Sequence, residues 1–287
     1  MQSQLVFESK AEIERLRVQN DLLSGCEAPV LAQLLSGRQS LSVLDIGCNS
    51  GRKTVERFSS PAVSRVIGLE YHPALAEQAQ RQFGDAVFSF FPMDVEAADF
   101  SAQLRTVMQK TGVAAFDVIC LSFLLMHLSD PGRLLRALRP FLSPGGGKLL
   151  IIEANDSACT LEPDPEGLLD AFLGILRDDP YSGNRRIGAE LPGLLTACGY
   201  GSGKVWQEAI SAGREDRTKK QAIYTTFFSY LPEDVRLLLE ANPENRTYRT
   251  WSDWLERNGD TMKQLILGED SVISMGIRIL TCTGDGT

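Results

Sequence analysis

Between Leu41 and Ala154 the chain carries five short apolar runs, and each of the first four is followed by a stretch at helical spacing. The runs are "LSVLDIG" (41–47), "RVIGLEY" (65–71), "VFSFFPMD" (87–94), "FDVICLSF" (116–123) and "KLLIIEA" (148–154). Strands this continuously apolar are buried on both faces, so the pattern predicts a doubly wound α/β domain, a parallel sheet with right-handed crossovers and helices on either side. The helix starts carry their own signals: Pro73 opens one, and Asp130 followed by Pro131 supplies an N-cap and a first-turn proline for another. Ligands on such sheets bind outside the carboxyl ends of the strands. That rule singles out Asp45 to Gly51, Glu70, Asp94 and Ser122.

Outside this core the pattern changes. Residues 9–35 have helical spacing on either side of Pro29, which predicts two helices leading into the first strand. Residues 156–184 are acidic and proline-punctuated around one apolar helix, "EGLLDAFLGIL". "RIGAELPGLLTACGY" predicts a helix ending at Gly199, "GKVWQEAIS" a strand, 214–270 a set of helices, and 271–282 a closing strand. The expected organisation is N-terminal helices covering the ligand crevice (1–36), a binding core (37–155), a cap insertion (156–184), a core helix and strand (185–213), a helical cap insertion (214–270), and a final core strand with its tail (271–287). Long excursions from an economical sheet tend to be functional. The alternative for these two is peripheral packing or a homodimer interface.

Charge and composition narrow the partners. The formal net charge is −8, whereas a phosphate backbone calls for a basic face, so no nucleic acid is expected. The pairs Lys219–Lys220 and Arg185–Arg186 read as solvated surface. No window approaches the about 18 uninterrupted apolar residues of a membrane span, and the N-terminus has no apolar leader, so a cytoplasmic protein without a membrane partner is expected. Six scattered cysteines lack any CxxC pair and the chain has only His72 and His127, so no metal site is indicated.

The first strand runs into "DIGCNSG", and here the chemistry concentrates. Gly47 and Gly51 tolerate a left-handed backbone and let a ligand approach main-chain N–H groups. Asn49 is the next best residue for a positive φ. A dinucleotide fingerprint would place glycines at 47, 49 and 52, but the chain has Gly47, Asn49 and Arg52. Asp45 also sits badly beside a pyrophosphate and suits a ligand carrying positive charge. No GK[ST] follows, which excludes a Walker loop. Glu70, ending the second strand, is placed to accept both hydroxyl hydrogens of a ribose. Asp94 ends the third strand, where it either accepts from an adenine amino group or caps the next helix.

These residues together resemble the class I S-adenosylmethionine-dependent methyltransferases, and in particular their small-molecule branch. "VLDIGCNSG" is similar to the first motif of that family, "VIGLEYHP" to its second-strand acid, "FPMDVE" to its third-strand acid, and "FDVICLSFLLMHLSDPGRLLRALRPFLSPGGGKLLIIE" to its fourth and fifth strands. The resemblance covers about residues 40–155 and departs from the family at Asn49, where glycine is common. It implies a Rossmann-like, mostly parallel seven-stranded sheet with a helical N-terminal segment and helical cap insertions. It implies S-adenosylmethionine as cofactor, S-adenosylhomocysteine as product, and a small-molecule acceptor whose oxygen, nitrogen or carbon takes the methyl group.

Carried over residue by residue, Asp45, Gly47, Asn49 and Gly51 surround the methionine end of the cofactor and Glu70 holds the ribose. Tyr71 packs the adenine, Asp94 and the Val95 amide read its edge, and Ser122 approaches the methionine amino group through its backbone. Arg17 and Asn20 reach the cofactor carboxylate if the N-terminal helix folds over the crevice; a solvated helix face is the alternative. His127 is the candidate general base, because histidine titrates near neutrality; a structural histidine is the alternative. Cys48 reads as loop filler. A second functional class stays open, a catalytically silent S-adenosylmethionine-binding regulator or partner subunit, as does methylation of RNA or protein if Arg214, Arg217, Lys219 and Lys220 line a basic channel.

Overall fold

A computed structural model describes residues 10–284. The chain forms two compact units, one of residues 28–154, 186–208 and 277–287, the other of residues 1–27, 155–185 and 209–276.

The first unit holds the parallel strands of the sheet. Its strands are β1 (Leu41–Ile46), β2 (Val63–Glu70), β3 (Phe88–Pro92), β4 (Val118–Ser122) and β5 (Lys148–Ala154). All five are parallel neighbours in the order β3-β2-β1-β4-β5. The helices between them are α2 (Arg52–Phe58), α3 (Pro73–Phe83), α4 (Phe100–Thr111) and α5 (Pro131–Leu138). On one face Leu44, Ile46, Ile67, Leu69, Ile119, Leu121, Leu149 and Ile151 merge with Leu104, Leu135 and Leu138 in a single apolar cluster. Alternate residues such as Val43, Val66 and Val118 are equally buried on the other face, as the continuous apolar runs require. α5 begins as expected, with Asp130 Oδ1 accepting the Arg133 N–H at 2.8 Å and Pro131 in the first turn. Strand order reverses between β1 and β4, which makes their carboxyl ends the switch point of the sheet.

Two elements differ in detail from expectation. The N-terminal segment is one helix, α1 (Lys10–Leu35), and not two, with Pro29 inside it. An interior proline costs a helix about 3 kcal/mol; burial of Leu23, Val30 and Leu34 on either side of it offsets that. The sheet has eight strands where seven were expected. The extra one is the three-residue β6 (Thr160–Glu162), antiparallel to Val272–Ser274, within a segment whose sequence reads only as irregular. The remaining strands are β7 (Lys204–Ala212) and β8 (Val272–Thr283), the latter antiparallel to β5 from Lys148↔Thr283 to Ala154↔Ile277. Helix α7 (Ile187–Ala197), between β6 and β7, joins the apolar cluster through Ile187, Leu191 and Leu195.

The second unit is mainly helical. It contains α6 (Leu168–Asp178), α8 (Arg217–Phe227), α9 (Leu231–Ala241) and α10 (Arg246–Leu267). Its core is built by Phe172, Phe227, Phe228, Trp251 and Leu255, all buried, with the Phe172 and Phe228 rings 4.9 Å apart. Phe227, Phe228 and Trp251, all within 214–270, are therefore core residues. Among the described residues, no helix is long and apolar enough to cross a membrane, and no cluster of three or more His, Cys, Asp or Glu side chains could hold a metal.

Candidate functional site

At the end of β1 the chain makes a turn in which every second residue is left-handed: Gly47 at φ 77°, Asn49 at φ 49° and Gly51 at φ 76°. Asn49 adopts the backbone that glycine would supply, and its Oδ1 accepts the Ser50 N–H at 2.6 Å, a local bond that favours this conformation. Gly51 is required for a second reason. A Cβ there would lie 2.8 Å from Phe90 Cε1 and 2.9 Å from Ala79 Cβ, so the turn packs directly on β3 and α3. Gly47 and Cys48 donate their N–H groups to the Leu69 carbonyl at 2.8 and 3.0 Å, which locks the turn onto β2.

Glu70 organises the neighbouring strand ends. Its Oε2 accepts the Asn49 N–H at 2.8 Å and its Oε1 the His72 N–H at 3.0 Å, and the side chain is buried. A carboxylate oxygen has two acceptor positions, so each retains one for an incoming hydroxyl. Asp45 is buried and accepts the Thr54 hydroxyl of α2 at 2.5 Å. Ser122, at the end of β4, accepts from Arg57 Nη2 of the same helix at 2.9 Å. The turn after β4 then passes close to the glycine turn: a Cβ on Gly47 would stand 3.5 Å from Leu124 Cδ1. Exposed main chain at Gly47, a buried acid before it and a two-pronged acceptor beside it suit a nucleoside with vicinal hydroxyls and a positive charge, as S-adenosylmethionine is.

Residues 19–184, more than half of the chain, match the family described as a methyltransferase domain. The chain belongs to that methyltransferase family. No curated protein matches in sequence. Solved structures share the fold at low identity. The YcgJ protein of Bacillus subtilis has a TM-score of 0.52 at 19% identity, over 91% of this chain and 99% of its own. The [4+2]-cyclase SpnF has 0.52 at 14%, over 90% and 80%. The cyclopropane synthase MmaA2 of Mycobacterium tuberculosis has 0.50 at 13%, over 97% and 88%.

In this methyltransferase Asn49 and Glu70 are joined directly, whereas the other expected residues have varied surroundings. Tyr71 is 64% exposed, with its ring edge-on to His72 at 5.1 Å, which leaves it free to cover a flat ligand. Asp94 is exposed and one oxygen accepts the Glu96 N–H at 2.8 Å within the turn after β3, while Asp99 holds the N-cap position of α4; Val95 packs its side chain on the apolar cluster. His127 is exposed in a short 3-10 turn, Leu125–His127. Arg17, in the other unit, is exposed and engaged by Glu14 at 2.7 Å and Asp21 at 3.1 Å. Cys48 is no nucleophile: burial, with the nearby charges of Asp45 and Glu70, pushes its thiol far up.

In each of the two expected surface pairs one member is corrected, while Arg186 is exposed as expected. Arg185 is buried, held by Asp156 through two bonds of 2.8 and 3.0 Å and 3.5 Å from the Tyr230 hydroxyl. Lys220 is fully buried and donates to the Gly268 carbonyl at 2.6 Å, where it ties down the end of α10. Lys220 is thereby withdrawn from the basic channel. The sequence reading also passed over Thr54, Arg57 and Glu153. The signal for Glu153 was available: it is an acid at a strand's carboxyl end, like Asp45 and Glu70, within the otherwise apolar "KLLIIEA".

Proposed function

We propose that this methyltransferase methylates a small-molecule acceptor at an oxygen, nitrogen or carbon nucleophile. S-adenosylmethionine is the donor, and when bound it supplies an already activated methyl group and leaves as S-adenosylhomocysteine. The observation that carries the reading is the alternating left-handed turn at Gly47, Asn49 and Gly51, bonded through Asn49 to Glu70. Glu70 holds the ribose hydroxyls, Tyr71 covers the adenine, and Asp94 with the Val95 amide meets its edge. Asp45, the exposed Gly47 main chain and the Ser122 backbone receive the positively charged methionine end. With an activated donor, the protein's task is to align the acceptor and exclude water.

The excursions 156–184 and 214–270 share one compact unit, which supports assigning acceptor recognition to them. The net charge of −8 and the burial of Lys220 speak for a small acceptor over a nucleic acid. Where the acceptor must lose a proton, His127 is the candidate base. The cyclase among the fold's relatives is a reminder that architecture alone does not choose a reaction.

Incubation of the protein with methyl-labelled S-adenosylmethionine and a fractionated cell extract tests this. Label is expected in the low-mass fraction. Label confined to protein or RNA overturns the small-molecule assignment.

A further inference from the structure

Glu153, the penultimate residue of β5, is wholly buried in the sheet unit. Its Oε1 accepts two consecutive main-chain N–H groups, Leu124 at 2.9 Å and Leu125 at 2.6 Å, and its Oε2 meets no partner. These bonds are made to the turn that leaves β4. That turn is strained: Phe123 is left-handed at φ 50°, an arrangement a bulky residue adopts only when its surroundings impose it. The Phe123 N–H is itself held by the Ile152 carbonyl at 2.8 Å, so the last two residues of β5 before Ala154 clamp the turn by main chain and side chain together. Leu124, the first residue held by the carboxyl, is the one whose Cδ1 faces Gly47 across the switch point.

We propose that Glu153 is a positioning residue, which sets the place of the Phe123–His127 turn and through Leu124 the width of the crevice at Gly47. A buried carboxyl is an expensive way to hold two N–H groups unless their position matters. This rests on the reading that the Gly47–Gly51 turn receives the cofactor.

The carboxyl's own chemistry gives a signature that ordinary packing would not. Burial raises its pKa from 4.5 to about 8, against the opposing effect of the Leu125, Leu124 and Met126 N–H groups. Neighbouring elements carry charged or titratable groups, among them His127 on the turn itself, Glu190 on α7, Arg133 and Arg136 on α5, Cys120 on β4, and Cys282 and Arg278 on β8, the last its register partner and engaged by Glu208 at 2.6 Å. The folded chain keeps the Glu153 proton where the unfolded chain has released it, so its contribution to stability is fully present below 4.5 and is lost as pH rises towards about 8.

Calorimetry with S-adenosylhomocysteine, and thermal melts between pH 5 and 8.5, test the proposal. Glu153→Ala should weaken S-adenosylhomocysteine binding about tenfold, the order of one lost hydrogen bond. Glu153→Gln, which keeps the acceptor oxygen and has no proton to lose, should restore affinity to within about threefold of the wild type, well under one such bond. It should also remove the Glu153 part of the fall in melting temperature with rising pH. Leu124→Ala should reproduce the loss of affinity with the carboxyl intact, and it decides the matter should Glu153→Ala not fold. Wild-type affinity in folded Glu153→Ala or in Leu124→Ala, equal losses in the Ala and Gln variants, or an unchanged pH slope in Glu153→Gln would each overturn it. Glu70→Ala separates the two levels: if it too binds normally, the cofactor turn is misassigned; if it alone loses binding, only the role of Glu153 fails.

Discussion

A left-handed backbone costs an L-residue about 1–2 kcal/mol, and asparagine bears this better than most because its side chain can bond locally. At Asn49 that bond is made, to the Ser50 N–H, while the Asn49 N–H itself serves Glu70. Replacement by glycine should therefore leave folding and cofactor affinity nearly unchanged, whereas Asn49→Val should lower stability by about 1–2 kcal/mol in urea unfolding. Glu70→Ala should do something different. It removes the acceptor of the Asn49 and His72 N–H groups and, on the proposed reading, of the ribose hydroxyls, so calorimetry should show S-adenosylhomocysteine affinity falling by at least about a hundredfold, the size of two lost charged hydrogen bonds. His127 is exposed, and its replacement by alanine should lower kcat with cofactor affinity unchanged; equal turnover across pH would make it structural.

At the scale of elements, joins between segments distant in sequence matter most. Asp156 follows β5 and Arg185 precedes α7, and their paired side chains are each only 9% exposed. Removing one member of a buried pair leaves the other charged and unpaired, so Asp156→Ala should cost about 3–5 kcal/mol in urea unfolding. Gly51 joins the first turn to β3 and α3. Gly51→Ala combines a left-handed alanine with contacts of 2.8 and 2.9 Å and should lose at least about 2 kcal/mol. The pattern of strands and crossover helices in 41–154 was readable, because it rests on local periodicity and on caps such as Asp130. The single α1 was not, because Pro29 argues locally for a break and only the burial of Leu23, Val30 and Leu34 overrides it. β6 was unreadable for the same reason: three residues hold no periodicity, and only their partner Val272–Ser274 makes them a strand.

For the whole molecule, ligand linkage offers a direct check. A ligand that binds only the folded chain stabilises it by about 2.7 kcal/mol at a hundred times its Kd. S-adenosylhomocysteine at that concentration should therefore raise the melting temperature by roughly 4–5 °C for a chain of this size, and no shift at saturation would remove the cofactor assignment. The left-handed backbone at Asn49 came from the structure, whereas by itself the sequence determined the parallel core, a turn built on Gly47 and Gly51, and the acids at the strand ends. These depend on residue type, spacing and a topology rule, all local or general. The tertiary structure decided which polar side chains leave water. Arg185 and Lys220 read as members of solvated pairs until Asp156 and the Gly268 carbonyl are brought to them, and Glu153 reads as one more strand-end acid until the turn after β4 closes over it. Burial and hydrogen-bond partners are properties of neighbours far away in the chain, and a linear sequence does not state who those neighbours are.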